Sequence, residues 1–369
     1  MKKSKKYDTV AGLRKIYEAL TLNNSIPIHG KIITVLLLFI HPIVFGQHPQ
    51  PANIGQRTFH FKDEKRNRPL VTELWYPTTD TLKASDKRFS PFLRRYTVRD
   101  GSLPTGKLPL IMVSHGTGGS RTSLEWIVQH LVQSGFIVAA VDHWGNTSDN
   151  KIAVEFMKPW ERPQDISFAL TQLLKEKEVN AVIDTVRIGA LGFSFGGYTV
   201  IALAGGVIDY PVLIHYYRTI GHREVEVPEY PGLGRLLYDS TLIAATKHVP
   251  NLKDSRIKAF VALSPGTGPG FVRKEQFKDV HGAVFITGSL ADSIAPVKSN
   301  ARVYHKLIKG ADYYEFGGKV GHYVMLGEAN DELKQEAPVP FVDDPSVNRH
   351  EVHLKVDSLV TDFFKRNLK

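Results

Sequence analysis

The sequence predicts an α/β protein built on a mostly parallel, doubly wound sheet with a cap insertion. Three observations predict it. Short apolar strand patterns alternate with amphipathic helical patterns from residue 108 onward, and strands joined by helical crossovers run parallel. A glycine-flanked serine, Ser194, stands at one strand-to-helix junction. The alternation breaks once, over Gly205–Ser255, a stretch rich in Pro, Tyr and His.

The 369 residues are enough to bury one large core with a cap over it. A hydrophobic fraction of 42% and a charged fraction of 23% exclude a disordered chain and a multi-span membrane protein. Half of the net charge of +10 lies within residues 1–31. The rest is spread over a large surface, so a solvated, mildly basic exterior is expected and a nucleic-acid partner is not. The chain has no cysteine, which excludes disulfides, thiolate metal sites and a cysteine nucleophile.

Residues 1–46 read as a signal peptide or, alternatively, an uncleaved signal anchor. A basic stretch precedes the apolar run Ile32–Phe45, which is interrupted by His41-Pro42 and followed by Gly46 and Gln47. The run falls short of a comfortable membrane span. Cleavage near Gln47 and export to the periplasm or medium are therefore expected. A linker is expected over 47–56 and the main domain over 57–369, with the cap insertion at 205–255.

Within the domain, Arg57–Phe61 and Leu70–Tyr76 are strand-like runs separated by the charged turn Lys62–Arg68. Leu108–Ser114 is a buried strand and Ser123–Val132 a helix stopped by Gly135. Strand Phe136–Asp142 follows, then a helix opened by Pro163, strand Val186–Gly192 and a helix over Gly197–Ala204. Beyond the break, strands are expected at Ile257–Leu263, Ala283–Gly288 and Tyr313–Phe316. Helices are expected over Val297–Ile308 and at the C-terminus, ending near Asn367.

Gly192-Phe193-Ser194-Phe195-Gly196-Gly197 has the pattern and context of a nucleophile elbow. A sharp strand-to-helix turn presents the serine at a helix N-terminus, where backbone amides favour negative charge. A serine hydroxyl needs a base, and in the α/β-hydrolase fold the partners follow in the order Ser, acid, His. Asp292 follows the strand Ala283–Gly288, and His322 follows the last strand among glycines. Asp279 and Asp312 are competing acids that do not follow the carboxyl end of their strands. Two N–H groups are needed for an oxyanion hole. Phe195 supplies one, and Thr117, in Ser114-His115-Gly116-Thr117-Gly118-Gly119, is the best position for the other. No Gly-Lys-Ser/Thr follows that loop, which speaks against a nucleotide site. Asp142-His143 is read as shaping the pocket floor, and Arg162 with Asp165 as an ion pair near its mouth.

The loop Ser114–Gly119, the runs Asp142-His143-Trp144-Gly145-Asn146 and Arg162-Pro163-Gln164-Asp165, and the elbow together resemble bacterial relatives of platelet-activating-factor acetylhydrolase. That group is often labelled predicted dienelactone hydrolase. The opening Arg66-Asn67-Arg68-Pro69-Leu70 to Trp75-Tyr76-Pro77 extends the likeness to about residues 57–325. The resemblance implies an α/β-hydrolase with a Ser194–Asp292–His322 triad, an oxyanion hole at Thr117 and Phe195, and no metal or cofactor. It implies hydrolysis of a small-molecule or lipid ester, with short acyl groups favoured by a pocket that the cap narrows. Peripheral membrane contact is compatible with such a substrate. The alternatives are a serine peptidase of the same fold and an inactive binding protein.

Overall fold

The computed structural model describes residues 53–369. The signal segment expected over 1–46 lies outside them. So does most of the expected linker, but its last residues, 53–56, belong to the first strand.

Nine strands form one sheet: β1 (Asn53–Asp63), β2 (Arg68–Thr78), β3 (Val98–Arg99), β4 (Leu108–Ser114), β5 (Ile137–Val141), β6 (Ile183–Phe193), β7 (Ile257–Leu263), β8 (Ala283–Ser289) and β9 (Asp312–Phe316). Their spatial order is β3-β1-β2-β5-β4-β6-β7-β8-β9. The β1–β2 hairpin is antiparallel and joins β5 antiparallel, whereas β5, β4 and β6 to β9 run parallel. Parallel strands covered on both faces need continuous apolar sequence, and every residue of β5 is buried. Alternate side chains point to opposite faces. Leu110 and Met112 of β4 join one core with the Glu161–Leu173 and Phe195–Ala204 helices. Ile111 and Val113 join the other with the Glu125–Gln133 and Arg349–Asn367 helices.

Several boundaries shift for local reasons. The helix expected from Pro163 begins at Glu161, since a proline in the first turn forfeits no intrahelical hydrogen bond. The helix expected over 297–308 is limited to Ala301–Leu307. Before it, the side chain of Asn300 holds the Gly268 N–H at 2.9 Å and the Pro296 carbonyl at 3.2 Å, so residues 296–300 form a turn. Residues 205–256 fold into short helices, Tyr210–Arg218, His222–Val225, Leu233–Tyr238 and Ser240–Ala245. Gly205, left-handed at φ 116°, stops the preceding helix and turns the chain into this insertion.

The order of the strands reverses between β4 and β6. From β4 the chain steps outward to β5, then returns to place β6 on the other side. Ligands of open α/β sheets bind at this switch point, beyond the carboxyl ends of the strands. Ser114 closes β4 opposite Gly192 of β6, so the loop after β4 and the turn after β6 are neighbours there. Among the described residues no helix is long and apolar enough to cross a membrane.

Candidate active site

Ser194 caps the helix Phe195–Ala204 with φ 56° and ψ −116°, a conformation an L-residue adopts only when its surroundings enforce it. Two glycines make the turn sterically feasible. A Cβ on Gly192 would lie 2.0 Å from the Gly196 carbonyl oxygen, and one on Gly196 would lie 2.0 Å from that of Ser114. The Ser194 N–H is held by the Leu263 carbonyl of β7 at 2.9 Å, and its carbonyl accepts the Gly266 N–H at 3.0 Å. The turn is therefore pinned from the adjacent strand end.

The Ser194 hydroxyl lies 2.9 Å from His322 Nε2, and His322 Nδ1 lies 2.6 Å from Asp292 Oδ2. All three side chains are largely buried. Asp292 Oδ1 accepts the Ile294 and Ala295 N–H groups at 2.9 and 2.7 Å, which fixes the carboxylate and leaves Oδ2 for the ring. The ring packs against Phe193, 4.8 Å between centroids. Backbone bonds from Leu290 to Phe316 and from Ala291 to Val320 tie the acid loop to the histidine loop. Neither competing acid is the partner of His322, whose two ring nitrogens pair with Asp292 and Ser194; Asp312 pairs with Arg366 instead.

Gly116, Thr117 and Gly118 line the same cavity as Ser194 and Phe195. The Phe195 N–H belongs to the first turn of its helix, where no intrahelical carbonyl can accept it. The Gly116 carbonyl accepts both the His115 imidazole Nδ1–H, at 2.7 Å, and the Gly119 N–H, at 3.3 Å. The peptide plane that carries the Thr117 N–H is thus fixed from its carbonyl side.

Two sequence readings need correction. Arg162 and Asp165 do not form an ion pair at the mouth; both lie fully buried beneath the loop. Asp165 pairs with Arg68 through both oxygens at 2.8 Å and with Arg66 at 2.9 Å. Arg162 instead donates to the His115 carbonyl. Asp142 and His143 do not line the pocket either: Asp142 binds Arg121, while His143 is enclosed between Ser114 and Asp165. Burial, with Arg162 and other cations nearby, pushes the pKa values of both His115 and His143 well below the ordinary histidine range.

The cavity measures about 400 Å³. Insertion residues such as Leu213, Val225, Leu233 and Leu237 wall it, with Phe156 and Trp160 beside them. The insertion thus forms much of the wall of this cavity. Glu229 reaches in from the insertion and accepts the Tyr323 hydroxyl at 2.9 Å, beside His322. Burial and that carboxylate raise the Tyr323 pKa, so the phenol stays protonated. No sequence signal pointed to Glu229, because the insertion has no motif.

The family described as platelet-activating factor acetylhydrolase, isoform II, matches residues 95–181. That span holds the loop after β4, His143, Arg162 and Asp165, and stops short of Ser194. No curated protein matches the chain. Among solved structures 1095 chains match. One is a ferulic acid esterase from Streptomyces cinnamoneus, aligned with a TM-score of 0.55 and 17% identity over 87% of this chain and 91% of that one. At that identity the likeness concerns the fold. By its sheet order and its strand-to-helix serine turn the chain has the α/β-hydrolase fold, and over residues 95–181 it is similar to the platelet-activating-factor acetylhydrolase family.

Proposed function

We propose that the chain is a carboxylic-ester hydrolase that works through an acyl-Ser194 intermediate. The observation that carries this reading is the continuous line from Ser194 Oγ through His322 to Asp292, at 2.9 and 2.6 Å, at the edge of an apolar cavity. His322 Nε2 takes the hydroxyl proton as Ser194 Oγ attacks the ester carbonyl. Asp292 holds the Nδ1–H and stabilises the imidazolium. The Thr117 and Phe195 N–H groups receive the oxyanion. Collapse of the tetrahedral intermediate expels the alcohol, which takes its proton from His322, and water then repeats the sequence on the acyl-enzyme. Treatment of the folded protein with a fluorophosphonate, followed by peptide mass spectrometry, should find the adduct on Ser194. A folded, unlabelled protein would overturn the reading.

The family likeness favours a short acyl group. A cavity of about 400 Å³ lies within the range of sites for drug-sized ligands, so in this reading it takes the apolar alcohol part. p-Nitrophenyl esters from acetate to palmitate decide: kcat/KM should peak at short chains, and a maximum at long chains would assign the cavity to the acyl group. Cleavage of amides but of no ester would make the protein a peptidase. Export is part of the proposal, and N-terminal sequencing of the mature protein should start near Gln47; an intact membrane-held chain would favour the anchor.

A further inference from the structure

A second Ser–His–Asp line lies beneath the first. The Ser114 hydroxyl is 2.9 Å from His143 Nε2, and His143 Nδ1 is 3.0 Å from Asp165 Oδ2. All three are at most 1% exposed, and none lines the cavity, so this line meets no substrate. What it touches is the root of the loop that carries Thr117.

Arg162 completes the arrangement. Its Nη2 donates to the His115 carbonyl and approaches Ser114 Oγ at 3.5 Å. Its Nε reaches Thr199 Oγ1 at 3.4 Å, and that hydroxyl donates to the Phe195 carbonyl at 3.0 Å. The guanidinium lies 4.8 Å from the centre of the Phe195 ring. One buried cation therefore holds both segments that present the oxyanion donors. It fixes the His115–Gly116 peptide, and the His115 ring in turn fixes the Gly116–Thr117 peptide.

A cation kept only for stability would be matched with a carboxylate, because an unpaired buried charge is costly. Asp165 is instead taken up by Arg68, Arg66 and His143. Among the described residues no carboxylate lies within ion-pair distance of Arg162, and its Nη1 has no hydrogen-bond partner. The positive charge is thus left facing the loop and the helix start where a negative charge would develop, in a setting with little water to screen it.

We propose that Arg162 is a positioning residue for the oxyanion hole, held in register by the buried Ser114–His143–Asp165 line. It rests on the ester-hydrolase reading and adds a role for groups that never touch substrate. Steady-state kinetics of Arg162→Met and Arg162→Lys test it, using one good ester and its thionoester. A thiocarbonyl sulfur is a poor hydrogen-bond acceptor, so a defect in the oxyanion hole falls mainly on the oxygen ester. Arg162→Met should lower kcat on the ester by about 10²-fold, with KM changed by less than about threefold. The ester-to-thionoester rate ratio should fall, while the shape of the pH profile stays unchanged. Arg162→Lys, which keeps the charge, should lie between the two. It is the variant to read if thermal denaturation shows that Arg162→Met has lost its fold.

Equal loss on ester and thionoester, or a changed pH profile, would overturn the proposal in favour of general disruption of the site. Retention of wild-type kcat by a folded variant would also overturn it. Absence of any ester hydrolysis by the wild-type protein would instead be a failure of the functional reading itself.

Discussion

Ser194 adopts an unfavourable backbone because Gly192 and Gly196 leave room for the chain to double back, and that dependence can be measured. Gly192→Ala or Gly196→Ala would place a methyl group 2.0 Å from a backbone oxygen. Each should cost about 3 kcal/mol or more, visible as a lost or strongly lowered thermal transition. The histidine and acid are tested by turnover at unchanged fold. His322→Ala should cut ester hydrolysis by about 10⁴-fold or more, and Asp292→Asn should cut it by about 10⁴-fold because the ring loses its tautomer. Asp279→Asn and Asp312→Asn should leave it near wild type, and strong sensitivity at either would displace Asp292 from its role. These residues could be read from sequence because each follows the carboxyl end of a strand, and strand ends are legible. The partners of Arg162 and Asp165 were not. Asp165 meets Arg68, 97 residues earlier, and no local pattern reports a contact made across a sheet.

At the scale of elements, the sheet and its main helices were legible because long apolar runs and repeated faces leave periodic signals. The insertion was not. Its helices span four to nine residues, too short for a helical period to stand out or for a helix to be stable alone. Several of their apolar residues line the cavity, a role that no periodic pattern announces. The cavity wall makes a specific prediction. Leu237 is 4% exposed and lines the cavity, and Leu237→Trp would fill part of it. Turnover of p-nitrophenyl acetate should change by less than about threefold, while kcat/KM for the bulkiest ester accepted should fall by 10-fold or more, roughly the effect of one or two misfitted methylenes. Equal effects on both esters would mean that this wall does not bound the substrate.

The described residues form one sheet clothed by helices on both faces, and the C-terminal helix Arg349–Asn367 completes one of those faces. Val356, Val360, Phe363 and Phe364 of that helix are buried against the sheet. On the same helix Asp357 is also buried, 3.4 Å from His130 Nδ1, with its other oxygen lacking a hydrogen-bond partner. Burial raises its pKa to about 7, so the folded protein keeps the carboxyl protonated at pH values where the unfolded chain has released the proton. Between an ordinary carboxylate pKa and 7 the folded state binds more protons than the unfolded one. Stability therefore falls as pH rises through that interval. The decline runs from about pH 4 to about pH 7, and its part between pH 5 and pH 8 amounts to roughly 2–3 kcal/mol. Asp357→Asn removes the titration but keeps the shape. Chemical denaturation of both proteins at pH 5 and pH 8 isolates the contribution of Asp357 and its neighbour His130, since groups remote from them contribute equally to the two. The asparagine variant should lose less stability across that range than the wild type, and should be the more stable of the two at pH 8. Identical pH dependence in the two proteins would show that burial does not raise the Asp357 pKa in the folded state.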